Sequence, residues 1–151
     1  MIKNFFIIKL LKSKMFILSS LILLYTFLCS FMYVNNISSS LQKNIFRLHI
    51  IANSNDIKDQ NLKYIIRDSL INYMNKICIN SKSKEETIEI VSNNLDKFSQ
   101  IANKIIFENG FDYNATVEIG NFEFPTKKYG DISLPSGYYD ALKVKIGKAS
   151  R

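Results

Sequence analysis

From Met15 to Val34 twenty residues pass without a charge, and only Ser19, Ser20, Thr26 and Ser30 interrupt the apolar run. As a helix rising 1.5 Å per residue, that stretch is about 30 Å long, the hydrocarbon thickness of a bilayer. From Phe46 the pattern has period two. Phe46, Leu48 and Ile50 alternate with Arg47 and His49, as in a half-buried strand. Asn53-Ser54-Asn55-Asp56 breaks that strand with residues suited to a helix N-cap. Leu62, Ile65, Ile66, Leu70, Tyr73, Met74 and Ile77 then recur at spacings of three and four, which predicts a first helix. Ser83-Lys84-Glu85-Glu86 is a capping box. It opens a second predicted helix whose stripe is Ile88, Val91, Leu95, Phe98, Ala102 and Ile105, closed by Gly110.

From Tyr113 the period returns to two. Tyr113, Ala115, Val117 and Ile119 face one way, with Asn114, Thr116 and Glu118 opposite. Gly120-Asn121 predicts a two-residue hairpin turn, and Phe122 and Phe124 continue the alternation on a return strand that Pro125 stops. Leu134-Pro135-Ser136-Gly137 predicts another turn, before a last strand with Leu142, Val144 and Ile146 inward. The expected fold class is α+β, in the order β-α-α-β-β-β, with about four strands packed on two helices. Along the chain we expect a basic flank at 1–14, a membrane helix or uncleaved signal at 15–34, and a polar linker at 35–45. An α+β domain at 46–147 and a short tail at 148–151 complete the division.

Charge changes the picture of that first helix. The chain of 151 residues carries a net +7, which spread evenly would favour nucleic acid or an anionic membrane. It is not spread evenly. Residues 1–45 hold five lysines and no acid, whereas residues 46–151 hold 15 basic and 13 acidic side chains. Four of those lysines precede the apolar run, so the positive-inside rule keeps the N-terminus in the cytoplasm and exports residues 35–151. An uncleaved anchor is the expected form. A cleaved signal peptide is the rival, although its apolar region is usually shorter, about 7–15 residues. Export would remove the domain from cytoplasmic nucleic acid, and no nucleic-acid partner is expected.

Candidate chemistry adds little. His49 is the single histidine, and the two cysteines, Cys29 and Cys78, are divided between the apolar run and the domain. So small a set of ligands and thiols implies neither a metal site nor a disulfide framework. Ser81-Lys82-Ser83-Lys84 matches Ser-x-x-Lys without its companion motifs, and the capping role of Ser83 accounts for the segment. No glycine-rich phosphate loop is present, and no cofactor or small-molecule substrate is expected. From the residues alone the chain is a membrane-tethered exported domain that works by interaction.

Two segments are more distinctive. Phe46-Arg47-Leu48-His49-Ile50-Ile51-Ala52-Asn53-Ser54 leads into Asp59-Gln60, Leu62-Lys63 and Arg67-Asp68; Phe124-Pro125-Thr126-Lys127-Lys128-Tyr129-Gly130 leads into Leu134-Pro135-Ser136-Gly137-Tyr138-Tyr139-Asp140-Ala141-Leu142. Together they resemble the stage II sporulation protein R family of endospore-forming bacteria, over roughly residues 45–147. The resemblance implies a messenger made in the forespore and exported to the space between the forespore and mother-cell membranes. There it would activate a mother-cell membrane aspartyl protease that processes the sigma-E precursor, without being an enzyme itself. Members of the family usually continue into an aromatic, cysteine-bearing tail, whereas this sequence closes on Gly147-Lys148-Ala149-Ser150-Arg151. The alternative from another class is a single-pass envelope assembly protein; a tethered hydrolase using His49 ranks below both.

Placed on the predicted elements, the resemblance nominates partner-binding residues. They are Arg47, His49 and Asn53 around the first strand, Asp59, Gln60, Lys63, Arg67 and Asp68 on the first helix, and Lys127, Lys128 and Tyr129 in an inter-strand loop. The intramolecular alternative is that Asn53, Ser54 or Asp56 caps the helix and that Arg67 pairs with a nearby acid.

Overall fold

A computed structural model describes residues 2–149, and its elements follow the α+β order with an added helix break. The chain separates into two units, one up to Ser40 and one from Leu41 onward. The first is a single helix. Helix α1 runs Ile2–Asn44 and takes in most of the polar stretch expected to be a linker. Within it Lys14–Val34 is long and apolar enough to cross a membrane, and every side chain of that span is exposed. A signal sequence near an N-terminus meets the same description. Three of its hydroxyls are satisfied within the helix. Ser19, Thr26 and Ser30 donate to the carbonyls of Phe16, Leu23 and Thr26 at 2.8, 2.9 and 2.8 Å, which removes much of the cost of placing them in an apolar medium.

The second unit is built on a three-stranded sheet in the order β1-β5-β2. Strand β1 (Phe46–Ile51) runs parallel to the central β5 (Gly137–Ile146), and β2 (Ala115–Phe124) runs antiparallel to it. Between β1 and β2 lie α2 (Ile57–Ile77), α3 (Lys84–Ser92) and α4 (Leu95–Glu108). Leu62, Ile66 and Leu70 of α2 and Val91, Phe98, Ala102 and Ile106 of α3 and α4 close over Ala115, Leu142, Val144 and Ile146. Phe46, Leu48 and Ile50 complete that core from β1, as their alternation requires.

Helix ends follow local chemistry. Asp56 caps α2, its carboxylate accepting from the Lys58 N–H at 3.0 Å. Ser83 caps α3, accepting from the Glu86 N–H at 3.1 Å. The Glu86 carboxylate takes the Lys82 N–H rather than that of Ser83, one residue earlier than the expected box. After α4, Gly110 adopts φ +79°, and the Phe111 N–H reaches back to the Ile106 carbonyl at 3.1 Å.

Three expectations are corrected. The single helix over residues 83–110 is two, broken at Asn93-Asn94. Asn side chains compete for backbone groups, and Asn94 donates to the Ile90 carbonyl at 2.8 Å while accepting from the Tyr73 hydroxyl at 2.9 Å. The hairpin at Gly120-Asn121 is absent, because β2 passes straight through and pairs Gly120 with Ala141 and Asn121 with Asp140 along the ten-residue β5. Glycine there makes room for the Phe122 ring, whose tip lies 2.9 Å from where a Cβ would sit. Lastly, Lys127–Tyr129 is a strand, β3, paired with β4 (Ile132–Leu134) as a small ribbon. Its two-residue connection is Gly130-Asp131, with Gly130 at φ +59°. Positive φ at the first central residue is what a II′ turn asks for, so that turn chemistry operates ten residues later than expected. At the level of individual residues, Ile65 leaves the first stripe and is 45% exposed.

Candidate functional site

Because strand side chains alternate, Arg47 and His49 fall on the sheet face turned away from the helices. A second, smaller core forms there from Phe124, Tyr139 and Ala141, with Ile45 and Phe122 against it. Arg47 is set into this cluster. Its guanidinium carbon lies 3.9 Å from the centroid of Phe124 and 4.9 Å from that of Tyr139, and Nη2 donates to the Tyr129 hydroxyl at 3.3 Å. Two aromatic faces compensate part of the desolvation of a cation that is only 8% exposed. Its Nη1 has no hydrogen-bond partner, and among the described residues no carboxylate pairs with it. The His49 ring stands 5.0 Å from that of Phe124. Tyr139 is anchored by donating to the Pro135 carbonyl at 2.7 Å.

Beside β1 runs a groove of about 630 Å³. Its floor is the strand itself, from Ile45 to Ile50. One wall is α2, through Lys63, Tyr64, Arg67 and Ile71; the other is the ribbon, through Lys127 and Tyr129. Lys63 and Arg67 both approach the Tyr64 ring, at 4.8 and 5.0 Å from its centroid. Arg67 also forms an exposed ion pair with Asp68 at 2.7 Å, which water screens to little net value. The ionic lining is otherwise lopsided: Arg47, Lys63, Arg67 and Lys127 face a single acid, Glu123. A smaller recess of about 230 Å³ shares His49, Ile50 and Lys63 with the groove and reaches Asn55 and Gln60.

At the end of β1 the chain turns around the Asp59 carboxylate, which is 6% exposed. Oδ2 accepts from Asn53 Nδ2 at 3.0 Å and from the Ser54 hydroxyl at 2.5 Å; Oδ1 accepts from the Tyr113 hydroxyl at 2.5 Å. Burial alone would raise the pKa of this carboxyl, but the donors Ser54, Tyr113 and Asn53 outweigh it and hold the group below its ordinary range. The same arrangement pushes the Tyr113 phenol up, through burial first and then its bond to the Asp59 charge. Asn53 uses its other amide atom as well, Oδ1 accepting from the Lys148 N–H at 2.9 Å. Gln60 donates to the Ser54 carbonyl at 2.8 Å and accepts from Lys63. The network therefore holds the β1–α2 connection, the start of β2 and the chain after β5 to one carboxylate.

The eleven nominated residues separate accordingly. Arg47, His49, Lys63, Arg67, Lys127 and Tyr129 line the groove. Asn53, Asp59 and Gln60 form the network at its end. Asp68 and Lys128 are exposed and line neither recess. Residue patterning misses Tyr113, which reaches Asp59 across 54 positions, and the Phe124–Tyr139 seat of Arg47. Nothing local marks either, although both aromatic positions of that seat lie within the second distinctive segment.

Comparison with known proteins bears on residues in both recesses. The family model described as stage II sporulation protein R matches residues 42–151. The stage II sporulation protein R of Bacillus subtilis (strain 168) is 32% identical to this chain over 101 residues, which cover 67% of the chain and 45% of that relative. The chain thus spans less than half the length of this curated relative. No solved structure matches.

Proposed function

Because the chain belongs to the stage II sporulation protein R family, we propose that it is an exported sporulation signal that activates a membrane-embedded aspartyl protease of the mother cell. The protease would then process the sigma-E precursor. The family match over residues 42–151 carries this reading. Two further features support it. An apolar helix fit to cross or address a membrane precedes the matched region, with lysines ahead of it that favour a cytoplasmic N-terminus. The matched region itself offers a basic groove suited to another protein, and a protein that signals across an intermembrane space must act by contact.

On this reading the chain catalyses nothing. His49 packs on Phe124 as part of the surface around the groove, and its removal leaves the signal working if the domain stays folded. The anchor stays uncleaved and holds the domain at the forespore membrane, on its outer side.

Co-expression in a non-sporulating host tests the proposal. The full chain, the candidate protease and the sigma-E precursor are produced together, and cleavage of the precursor is scored by immunoblot. Cleavage that requires the full chain, and survives His49→Ala, is the expected result. Cleavage to the same extent without the chain would refute activation, and cleavage that survives His49→Ala removes the hydrolase alternative.

A further inference from the structure

We infer that the groove beside β1 is the seat of an extended acidic segment of a partner protein, which adds to the sheet as a strand at the open edge of β1. This deepens the signalling proposal and rests on it for the partner's identity, but the chemistry of the groove stands apart from it.

The edge is the first observation. In the order β1-β5-β2, β1 is bonded, among the described residues, to β5 on one side only. Six residues of strand give about 20 Å of backbone template, at roughly 3.3 Å per residue. Proteins usually blunt such an edge with proline, a bulge or a covering element. Strand β1 contains no proline, and beside it lies the groove of about 630 Å³. An added strand would take its main-chain hydrogen bonds from β1 and place alternate side chains toward α2 and toward the ribbon.

Charge then selects the occupant. Arg47 is more than nine-tenths buried, opens on the groove, and keeps Nη1 without a partner. A buried guanidinium with no carboxylate is costly, and a carboxylate arriving with the incoming strand would pair with it in its preferred forked geometry. Lys63 and Lys127 stand on opposite walls, so acids along the segment would meet cations on both sides. A second copy of this chain is the wrong occupant, because pairing β1 with β1 would bring two basic grooves together.

The test uses the full chain in nanodiscs of neutral phosphatidylcholine, with fluorescence anisotropy as the readout. The probe is a ten-residue peptide alternating Val and Glu, blocked at both ends. One comparator replaces Glu by Lys; another carries N-methyl groups on alternate amides, which prevents strand pairing while keeping the charge. The acidic peptide should bind, with each comparator at least tenfold weaker. The double variant Lys63→Glu, Lys127→Glu, whose circular dichroism should match the unaltered protein, should weaken the acidic peptide at least tenfold. The inference fails if the acidic peptide does not bind, if either comparator binds equally well, or if the double variant binds as the unaltered protein does. It also fails if the double variant has lost peptide binding yet still supports normal sigma-E processing in sporulating cells, an outcome that would leave the signalling proposal intact.

Discussion

Asp59 gathers two nearby donors, Asn53 and Ser54, and a distant one, Tyr113, and its ionised form is what they stabilise. A carboxyl whose pKa falls on folding stabilises the native state fully above its unfolded value, about 3.9, and loses that contribution as pH drops through the lower folded value. Melting temperature should therefore fall below about pH 4, and Asp59→Asn should flatten that fall. At neutral pH the same substitution should cost about 2–4 kcal/mol in denaturant unfolding, because the amide cannot accept from all three donors and leaves buried polar groups unpaired. Tyr113→Phe removes one donor without changing shape. It should cost about 1 kcal/mol and raise the Asp59 pKa, which NMR titration of the carboxyl carbon would follow. Gly147 is a further sensitive point. It sits at φ +57°, and a Cβ there would collide with the Asn53 side chain. Gly147→Ala should lower unfolding stability by about 1–2 kcal/mol. Only half of this network is legible in the sequence. Asn53 and Asp59 stand six residues apart in a distinctive segment, whereas Tyr113 reads simply as one inward position of a strand.

At the scale of elements, patterning works where the chemistry is local. The strand at Phe46–Ile51, the cap at Ser83, the stop at Gly110 and the break at Pro125 all depend on residues within a turn or two of one another. Ser83→Ala should accordingly cost about 1 kcal/mol, measured by chemical denaturation, through loss of the hydroxyl that accepts from Glu86 N–H. Patterning fails where a distant partner decides the outcome. Gly120-Asn121 has the composition of a turn, but ten consecutive pairings with β5 hold the chain extended through it. Asn93-Asn94 lies inside a continuous apolar stripe, yet the bond from the Tyr73 hydroxyl on α2 helps fix Asn94 at the helix junction. Lys127–Tyr129 lacks a long enough apolar pattern to announce a strand, and its pairing with Ile132–Leu134 is visible only in the register. The parallel partnership of β1 with β5 joins elements separated by three helices, beyond any windowed pattern.

At the scale of the whole molecule, the division of charge and of hydrophobic surface sets the account. The exposed apolar helix and its lysine flank are read as an anchor that exports the domain; the α+β unit supplies a basic groove beside an open strand. A phosphatase reporter fused after residue 151 should be active only if the C-terminal side leaves the cytoplasm, and activity is the expected result. Family membership is legible in two short segments, and those segments supply much of the groove and the carboxylate network as well as part of the core. The role in signalling is the central claim, and sporulating cells lacking the gene test it most directly. Immunoblots of the sigma-E precursor through sporulation should show it accumulating uncut in the deletion strain, with cleavage restored by the full chain. Normal conversion of the precursor in the deletion strain would contradict the account.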